Sequence, residues 1–446
     1  MARQCGRRKF LTYSCSTLAI SLLLKACASS QLKTTQKNLN NSQSPTVFNP
    51  STAGGSNQRI KIGILHSLGD TIWISEGSIV DAQNMAVEEI NAAGGVLGKQ
   101  IEAIVEDGAS DWSTFAEKAK ILIDSKQVSV VFGGGTSASR KALKPIFEQK
   151  EHMLWYPAQY EGQECSQDIF YTGATPNQQI EPAVDWLLAN KGKQLFLVGS
   201  DYVFSRTANA IIKAQLKEKG GKAVGEYYLP LNHQEVSPII SNIQTMLPTG
   251  GAIFNTLSGK SNRAFFQQLN DAGLKADQYP VMSVSITEEE VHNIGLQHLQ
   301  GHYATGNYFQ TLDNPVNEKF VKAFKRRYGE KRVISDQMVA AYTAIYLWKQ
   351  AVETAGTTEN LEQVRQAVYG QTFESPGGLV RMETNHHLSK FVRIGQVQAD
   401  GLFKIVYSTR SLVKPVPWNK FLSYTKQYAC DWSDPTKGWK YQTTSS

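Results

Sequence analysis

The stretch "VFGGGTSASRKALKP", Val131 to Pro145, decides the fold. Apolar residues run into three glycines, a hydroxyl cluster follows, and a basic pair opens a segment with apolar residues at helical spacing. Strand, tight turn and helix in that order make one βα unit. Glycines ahead of a helix start also raise the question of phosphate, because backbone amides there bind anions. The stretch carries neither a Gly-x4-Gly-Lys-Ser/Thr run nor a Gly-x-Gly-x-x-Gly fingerprint, so its spacing does not support a nucleotide site.

Working outward, the same unit recurs. "RIKIGILHS" (59–67), "IEAIVED" (101–107), "VSVVFGG" (128–134) and "HMLWYPA" (152–158) read as strands. They alternate with "SIVDAQNMAVEEINAAGG" (78–95), "DWSTFAEKAKILIDS" (111–125) and "SRKALKPIFEQ" (139–149), which carry apolar residues at helical period. From Ile180 the rhythm restarts and runs to Ser285. Two successive units of this kind predict an α/β protein with two Rossmann-like lobes and parallel sheets. After Gly301 the helices "PVNEKFVKAFKRRYG" (315–329) and "SDQMVAAYTAIYLWKQAVETAG" (335–356) are expected to return to the first lobe. "FVRIGQVQADGLFKIVYS" (391–408) predicts a hairpin turning at Asp400-Gly401. The expected divisions are 59–178 for the first lobe, 179–303 for the second, 304–390 for the return and 391–446 for the hairpin and tail. Ligands of open parallel sheets bind at the carboxyl ends of the strands. Here those ends are 66–76, 133–140, 156–162, 199–206, 255–262 and 283–290, with Ser285 in the last.

The amino-terminal region reads as an address. Arg7-Arg8-Lys9-Phe10-Leu11 is a twin-arginine signal before a short apolar run ending at Leu24-Lys25-Ala26-Cys27, which predicts cleavage and a lipid on Cys27. Residues 28–58, rich in Ser, Thr, Asn and Gln, read as a tether. The formal charge of the whole chain is +7. Arg3, Arg7, Arg8, Lys9 and Lys25 carry five of those charges, so the segment after Cys27 stands at 7 − 5 = +2. That balance, with no basic cluster interleaved with aromatics, gives no footing for nucleic acid. Cys165 and Cys430 remain after the signal, and an oxidising compartment permits them to pair.

The motifs "GVLGKQIEAIVEDGASDW", "FGGGTSASRKALKP", "WYPAQYEGQECS", "TGATPNQQIEPAVDWLL", "LVGSDYVFSRTAN" and "GHYATGNYFQTLDNP" resemble the urea and short-chain-amide substrate-binding lipoproteins of ABC transporters. The likeness runs from about Ile60 to Gly438. It implies a type I periplasmic-binding-protein fold, with two lobes joined by three crossings and hinged over a ligand. It also implies a urea or small-amide ligand, permease and ATPase partners, a periplasmic protein anchored to the membrane by lipid, and no cofactor or catalytic residue. Carried over by motif, the site comprises Ser137, Thr136 and Gly135, then Tyr156, Tyr160 and Glu161, then Asp201 and Tyr202. The chemistry is coherent: hydroxyls and helix-start amides serve the carbonyl oxygen, Asp201 and Glu161 take N–H groups, and the tyrosines give flat walls. Relatives place an aromatic where this chain has Gly135, and often a tryptophan where it has Gly306. Both changes predict open space, which Trp73 in "GDTIWISE" is placed to refill from another loop. A paralogue for a larger amide or an amino acid, and an amide sensor, stay as alternatives.

Other features have plainer readings. His386-His387 and the group His292, His298 and His302 lack metal-ligand spacing and are expected to be solvated surface residues. Glu288-Glu289-Glu290 opens a helix, where carboxylates suit the positive dipole end, and Glu288 is also placed to face the cleft. A hydrolytic set of Ser137, His66 and Asp201 is thinkable, but no nucleophile elbow surrounds Ser137.

Overall fold

The computed structural model describes residues 59–69 and 76–443. The twin-arginine segment, Cys27, the tether and Trp73 lie outside the described residues. The first lobe is built from β1 (Ile60–His66), α1 (Glu76–Ala92), β2 (Ile101–Asp107), α2 (Trp112–Lys120), β3 (Val131–Gly133), α3 (Ser137–Lys150), β4 (Leu154–Tyr156) and β5 (Ile169–Tyr171). Its strands form one parallel sheet in the order β2-β1-β3-β4-β5. Alternation along the strands divides the core. Phe132, Trp155 and Phe170 enter one cluster with Trp348, while Val131, Leu154 and Tyr171 enter another with Phe115, Leu143 and Phe147. Each large apolar side chain buried this way contributes roughly 1.5–3 kcal/mol.

The opening loop folds by backbone approach. A Cβ at Gly133, where φ is +152°, would stand 1.9 Å from the Leu65 carbonyl oxygen, so only glycine lets β3 end that close to β1. Gly134, at φ +83°, donates its amide to the same oxygen at 3.0 Å. Thr136 then caps α3. Its hydroxyl accepts from the Ser139 amide, and Ser139 Oγ accepts from the Thr136 amide, both at 3.0 Å.

The second lobe contains α4 (Ile180–Asn190), β6 (Gln194–Ser200), α5 (Val203–Glu218), β7 (Lys222–Leu229), α6 (Ser237–Met246), β8 (Ala252–Thr256), α7 (Lys260–Asp271), β9 (Val281–Ser283), α8 (Glu288–Ile294), α9 (Leu296–Leu299) and β10 (Tyr303–Gly306). Then α10 (Pro315–Tyr328), α11 (Asp336–Ala355), α12 (Leu361–Val368) and the small sheet of β11 (Thr372–Ser375), β12 (Gly378–Met382) and β13 (Leu388–Ser389) follow. Phe324, Met338 and Ala341 pack with Ile79 and Met85 of α1, and Trp348 and Val364 join the first-lobe core. The hairpin of β14 (Arg393–Val397) and β15 (Phe403–Ser408) extends the second sheet, whose order is β15-β14-β10-β9-β8-β6-β7. β14 pairs antiparallel with β10 and β15. No helix among the described residues is long and apolar enough to cross a membrane.

The chain passes between the lobes at 172–179, 307–314 and 390–392, and side-chain amides tie the passes together. Asn307 Nδ2 donates to the carbonyls of Gln178 (3.2 Å) and Phe391 (2.9 Å). Gln178 Nε2 donates to Leu388 O at 2.7 Å, and Gln179 Nε2 to Val284 O (3.0 Å) and Thr305 O (3.1 Å).

The structure corrects the reading of three histidines. His386 and His387 are fully buried, and His302 nearly so. His387 stacks on Tyr171 at 4.2 Å between ring centroids, and His386 on Phe170 at the same distance. Burial pushes His302 and His387 down to about 3, and His386 well below its ordinary value, so all three stay neutral. The polar turn before β13 was legible as a loop, but not that it docks on the β5 edge.

Cys165 and Cys430 are joined by a disulfide, which fastens the tail carrying β16 (Tyr428–Ala429) and β17 (Tyr441–Gln442) to the loop after β4. The bridge closes a sequence separation of 265 residues, and loops of that length constrain the unfolded chain strongly. Replacing both cysteines by serine is expected to lower stability by about 2–5 kcal/mol. Denaturant unfolding of the oxidised protein and the double variant would reveal no difference if the bridge contributed nothing.

Candidate functional site

A cleft lies between the lobes at the strand ends. From the first lobe it is walled by Glu76 and Ile79 of α1, by Gly135, Thr136 and Ser137 at the start of α3, and by Ala158 and Gln159 after β4. From the second lobe come Tyr202 and Phe204 before and within α5, and Ser285, Thr287 and Glu290 after β9. Ser335 and Gln337 at the start of α11 complete it. The space open to the centre of a water molecule is about 40 Å³. A single water needs roughly 10–15 Å³ on that scale, so the cleft has room for several water-sized groups.

Interlobe bonds cross the cleft among the described residues. The Ala138 amide donates to Tyr202 Oη at 2.6 Å, and Gln159 Nε2 donates to Val284 O at 3.4 Å. Of the first amides of α3, those of Ala138 and Ser139 are thus engaged, by Tyr202 and Thr136. The Ser137 amide has no hydrogen-bond partner among the described residues.

Behind this wall sits a buried cation. Arg140 has no exposed surface, and its guanidinium donates to Glu164 Oε1 and Glu161 Oε1, each at 2.9 Å, and to Ser137 Oγ at 3.2 Å. Ser137 Oγ in turn donates to Glu161 Oε2 at 2.5 Å. The guanidinium lies 4.5 Å from the Tyr160 ring centroid and 5.1 Å from that of Tyr156. Burial alone would raise the Glu164 carboxyl, but Arg140 and Lys141 overcome it and hold the pKa at about 2. Glu161 therefore orients Ser137, and Tyr156 and Tyr160 pack against Arg140. None of those three lines the cleft.

Asp201, expected to accept ligand N–H groups, is 55% exposed and pairs with Arg206 at 2.9 Å outside the cleft. The acids that line the cleft are instead Glu76 and Glu290, neither of them among the residues carried over by motif. Both lie within strand-end loops already marked as candidate positions, and that placement was the signal available. Ser137, His66 and Asp201 are not assembled as a hydrolytic set, since Ser137 Oγ bonds Glu161 and Arg140. Glu288 turns away from the cleft and accepts from the Gln310 amide at 2.7 Å. No group of three or more His, Cys, Asp or Glu among the described residues is arranged to hold a metal.

The space over Gly135 is filled. A Cβ there would stand 2.5 Å from the Glu76 carboxyl carbon and 2.6 Å from both its oxygens. Glu76 is 2% exposed; its Oε2 accepts from the Ser67 amide at 2.7 Å and stands 3.6 Å from His66 Nδ1. Gly306 repeats the arrangement more loosely. A Cβ there would lie 3.3 Å from Asp336 Oδ2, which accepts from the Asn307 amide at 2.9 Å. An acid stands at each place where an aromatic was missing.

Comparison with known proteins places this architecture. The periplasmic binding protein domain matches residues 60–424. Limonene hydroxylase of Geobacillus stearothermophilus is 37% identical over 152 residues, covering 34% of this chain and 27% of that protein. A Leu/Ile/Val-binding protein homolog of Brucella melitensis is 26% identical over 232 residues, or 51% of this chain and 59% of that one. The chain thus spans less than two thirds of both curated relatives. A solute binding protein of an ABC transporter from Rhodopseudomonas palustris, in complex with 3,4-dihydroxybenzoic acid, superposes with a TM-score of 0.72. It is 21% identical, and the match covers 80% of this chain and 99% of that structure.

Two expectations follow. Gly135→Ala should drive the Glu76 carboxylate off the Ser67 amide and cost about 1–2 kcal/mol, with little cost in a Glu76→Ala background. A thermal-unfolding cycle of the four proteins measures that coupling, and additive losses would contradict it. Burial pushes Glu288 up to about 8 from its ordinary 4.5. The native state therefore keeps a proton that the unfolded chain has released, and stability falls as pH rises between those values. The buried histidines act oppositely but only below about 6.5, which leaves the window from 6.5 to 8 to Glu288. Unfolding free energy should decline across that window by up to about 1.4 kcal/mol per pH unit. Glu288→Gln should flatten the profile; equal slopes in both proteins would contradict the assignment.

Proposed function

The chain belongs to the periplasmic binding protein family, and from that premise we propose that it is the extracytoplasmic solute-binding protein of an ABC importer. Its ligand is urea or a short-chain amide, held between the lobes and delivered to a permease with its ATPase subunits. Its expected station is the membrane surface, tethered by a lipid on Cys27. The observation that supports the ligand reading is a small cleft lined by the acids Glu76 and Glu290 and by the Ser137 amide, which has no partner among the described residues. A compact molecule with one carbonyl oxygen and planar N–H groups satisfies both sides.

The names of relatives favour a second reading, an amino acid or aromatic acid ligand. Either would bring a carboxylate to a wall whose described residues include two acids and no Lys, Arg or His. Binding without turnover is the proposed action, with closure favoured because ligand contacts come from both lobes.

Titration calorimetry and thermal shift against urea, formamide, acetamide, leucine and 3,4-dihydroxybenzoate test this. Small amides should stabilise the protein by about 2.7 kcal/mol at a hundred times their dissociation constant. A response confined to leucine or the aromatic acid would overturn the reading.

A further inference from the structure

We propose that the cleft prefers a small planar cation, an amidinium or guanidinium, over a neutral amide of the same shape. This rests on the small-ligand reading of the cleft and adds the sign of the charge. The starting point is Glu76. It is 2% exposed, its Oε2 is engaged by the Ser67 amide, and its Oε1 accepts no hydrogen bond among the described residues. Ser285, 4% exposed on the opposite lobe, also faces the cleft with a hydroxyl that has no partner among the described residues. Glu290, 5% exposed, adds a second acid to the same wall.

A carboxylate withdrawn from water is costly unless an opposite charge and hydrogen bonds replace the lost hydration. Among the described residues no Lys, Arg or His lines this cleft, and the one basic ring against Glu76 is that of buried His66, 3.6 Å from its Oε2. The nearest guanidinium, that of Arg140, is already held by Glu161 and Glu164. Urea brings N–H donors to Glu76 but no charge. An amidinium or guanidinium brings the same planar fork of N–H groups with a delocalised positive charge, the geometry that pairs best with a carboxylate. Its remaining N–H groups can reach the Ser285 hydroxyl. Tyr202 and Phe204 supply aromatic rings beside it, which favour a flat cation further. The open volume admits a species of this size.

Gly135 is part of the device. The Glu76 carboxylate occupies the position any side chain at 135 would take. The residue that removes an aromatic wall is thus the residue that admits the acid.

The test is calorimetric titration of the purified protein with guanidinium chloride, acetamidinium chloride, urea and acetamide. All runs are held at one ionic strength with sodium chloride, with guanidinium kept far below denaturing concentration. At least one cation should bind about tenfold or more tighter than urea, a difference of 1.4 kcal/mol. In Glu76→Gln, which preserves shape, the ratio should collapse to within about threefold, chiefly through loss of cation affinity. Urea binding as tightly as both cations in the unaltered protein overturns this proposal and leaves the small-amide reading intact. A preference that persists undiminished in Glu76→Gln also overturns it. Silence toward all four ligands removes both readings.

Discussion

The Arg140 guanidinium is the interaction on which the ligand-facing wall depends. It is fully buried between the rings of Tyr156 and Tyr160 and bonded to two carboxylates and a hydroxyl. A cation there is tolerable only because both acids accompany it. Their attraction, overcoming the penalty of burial, holds the Arg140 proton even more firmly than usual. Glu161 reaches Ser137 on one side, while Glu164 accepts from Tyr171 of β5 at 2.8 Å on the other. Tyr160 bonds His387 at 2.6 Å, which brings in the segment leading to the last crossing. One ion cluster thus links the α3 start, the loop after β4, the sheet edge and the approach to the hinge.

A wall held this rigidly can present a few groups accurately, and the groups left over are informative. Among the described residues the Ser137 amide, Glu76 Oε1 and Ser285 Oγ have no hydrogen-bond partner, although all three residues are buried. Gln178, Gln179 and Asn307 use their side-chain N–H groups to tie the crossings together.

Much of the architecture was legible because it depends on local periodicity. The βα alternation, the lobe restart near Ile180 and the Asp400-Gly401 hairpin follow from residue spacing and turn chemistry, which act within a few residues. The strand-end rule was equally productive: of the residues lining the cleft, all but Ile79, Ser335 and Gln337 fall within the loops it marked. What it could not do was say which way each side chain turns. Asp201 points outward to Arg206 while Tyr202, its neighbour, points in. Glu288 and Glu290, on one helical turn, take opposite roles.

The sequence by itself determined that this is an α/β chain of two lobes built on parallel strands, with cleft-lining loops at the carboxyl ends of those strands. Periodicity and glycine placement are properties of neighbouring residues, and they survive without coordinates. Only the tertiary structure decided the character of the cleft. Gly135 read as an absence, yet a carboxylate from α1, far off in the chain, fills the space above it. His386 and His387 read as surface polar residues, yet they stack in the core against β5. Both outcomes depend on which distant elements pack together, and on the requirement that every buried charge or ring nitrogen find a tolerable environment.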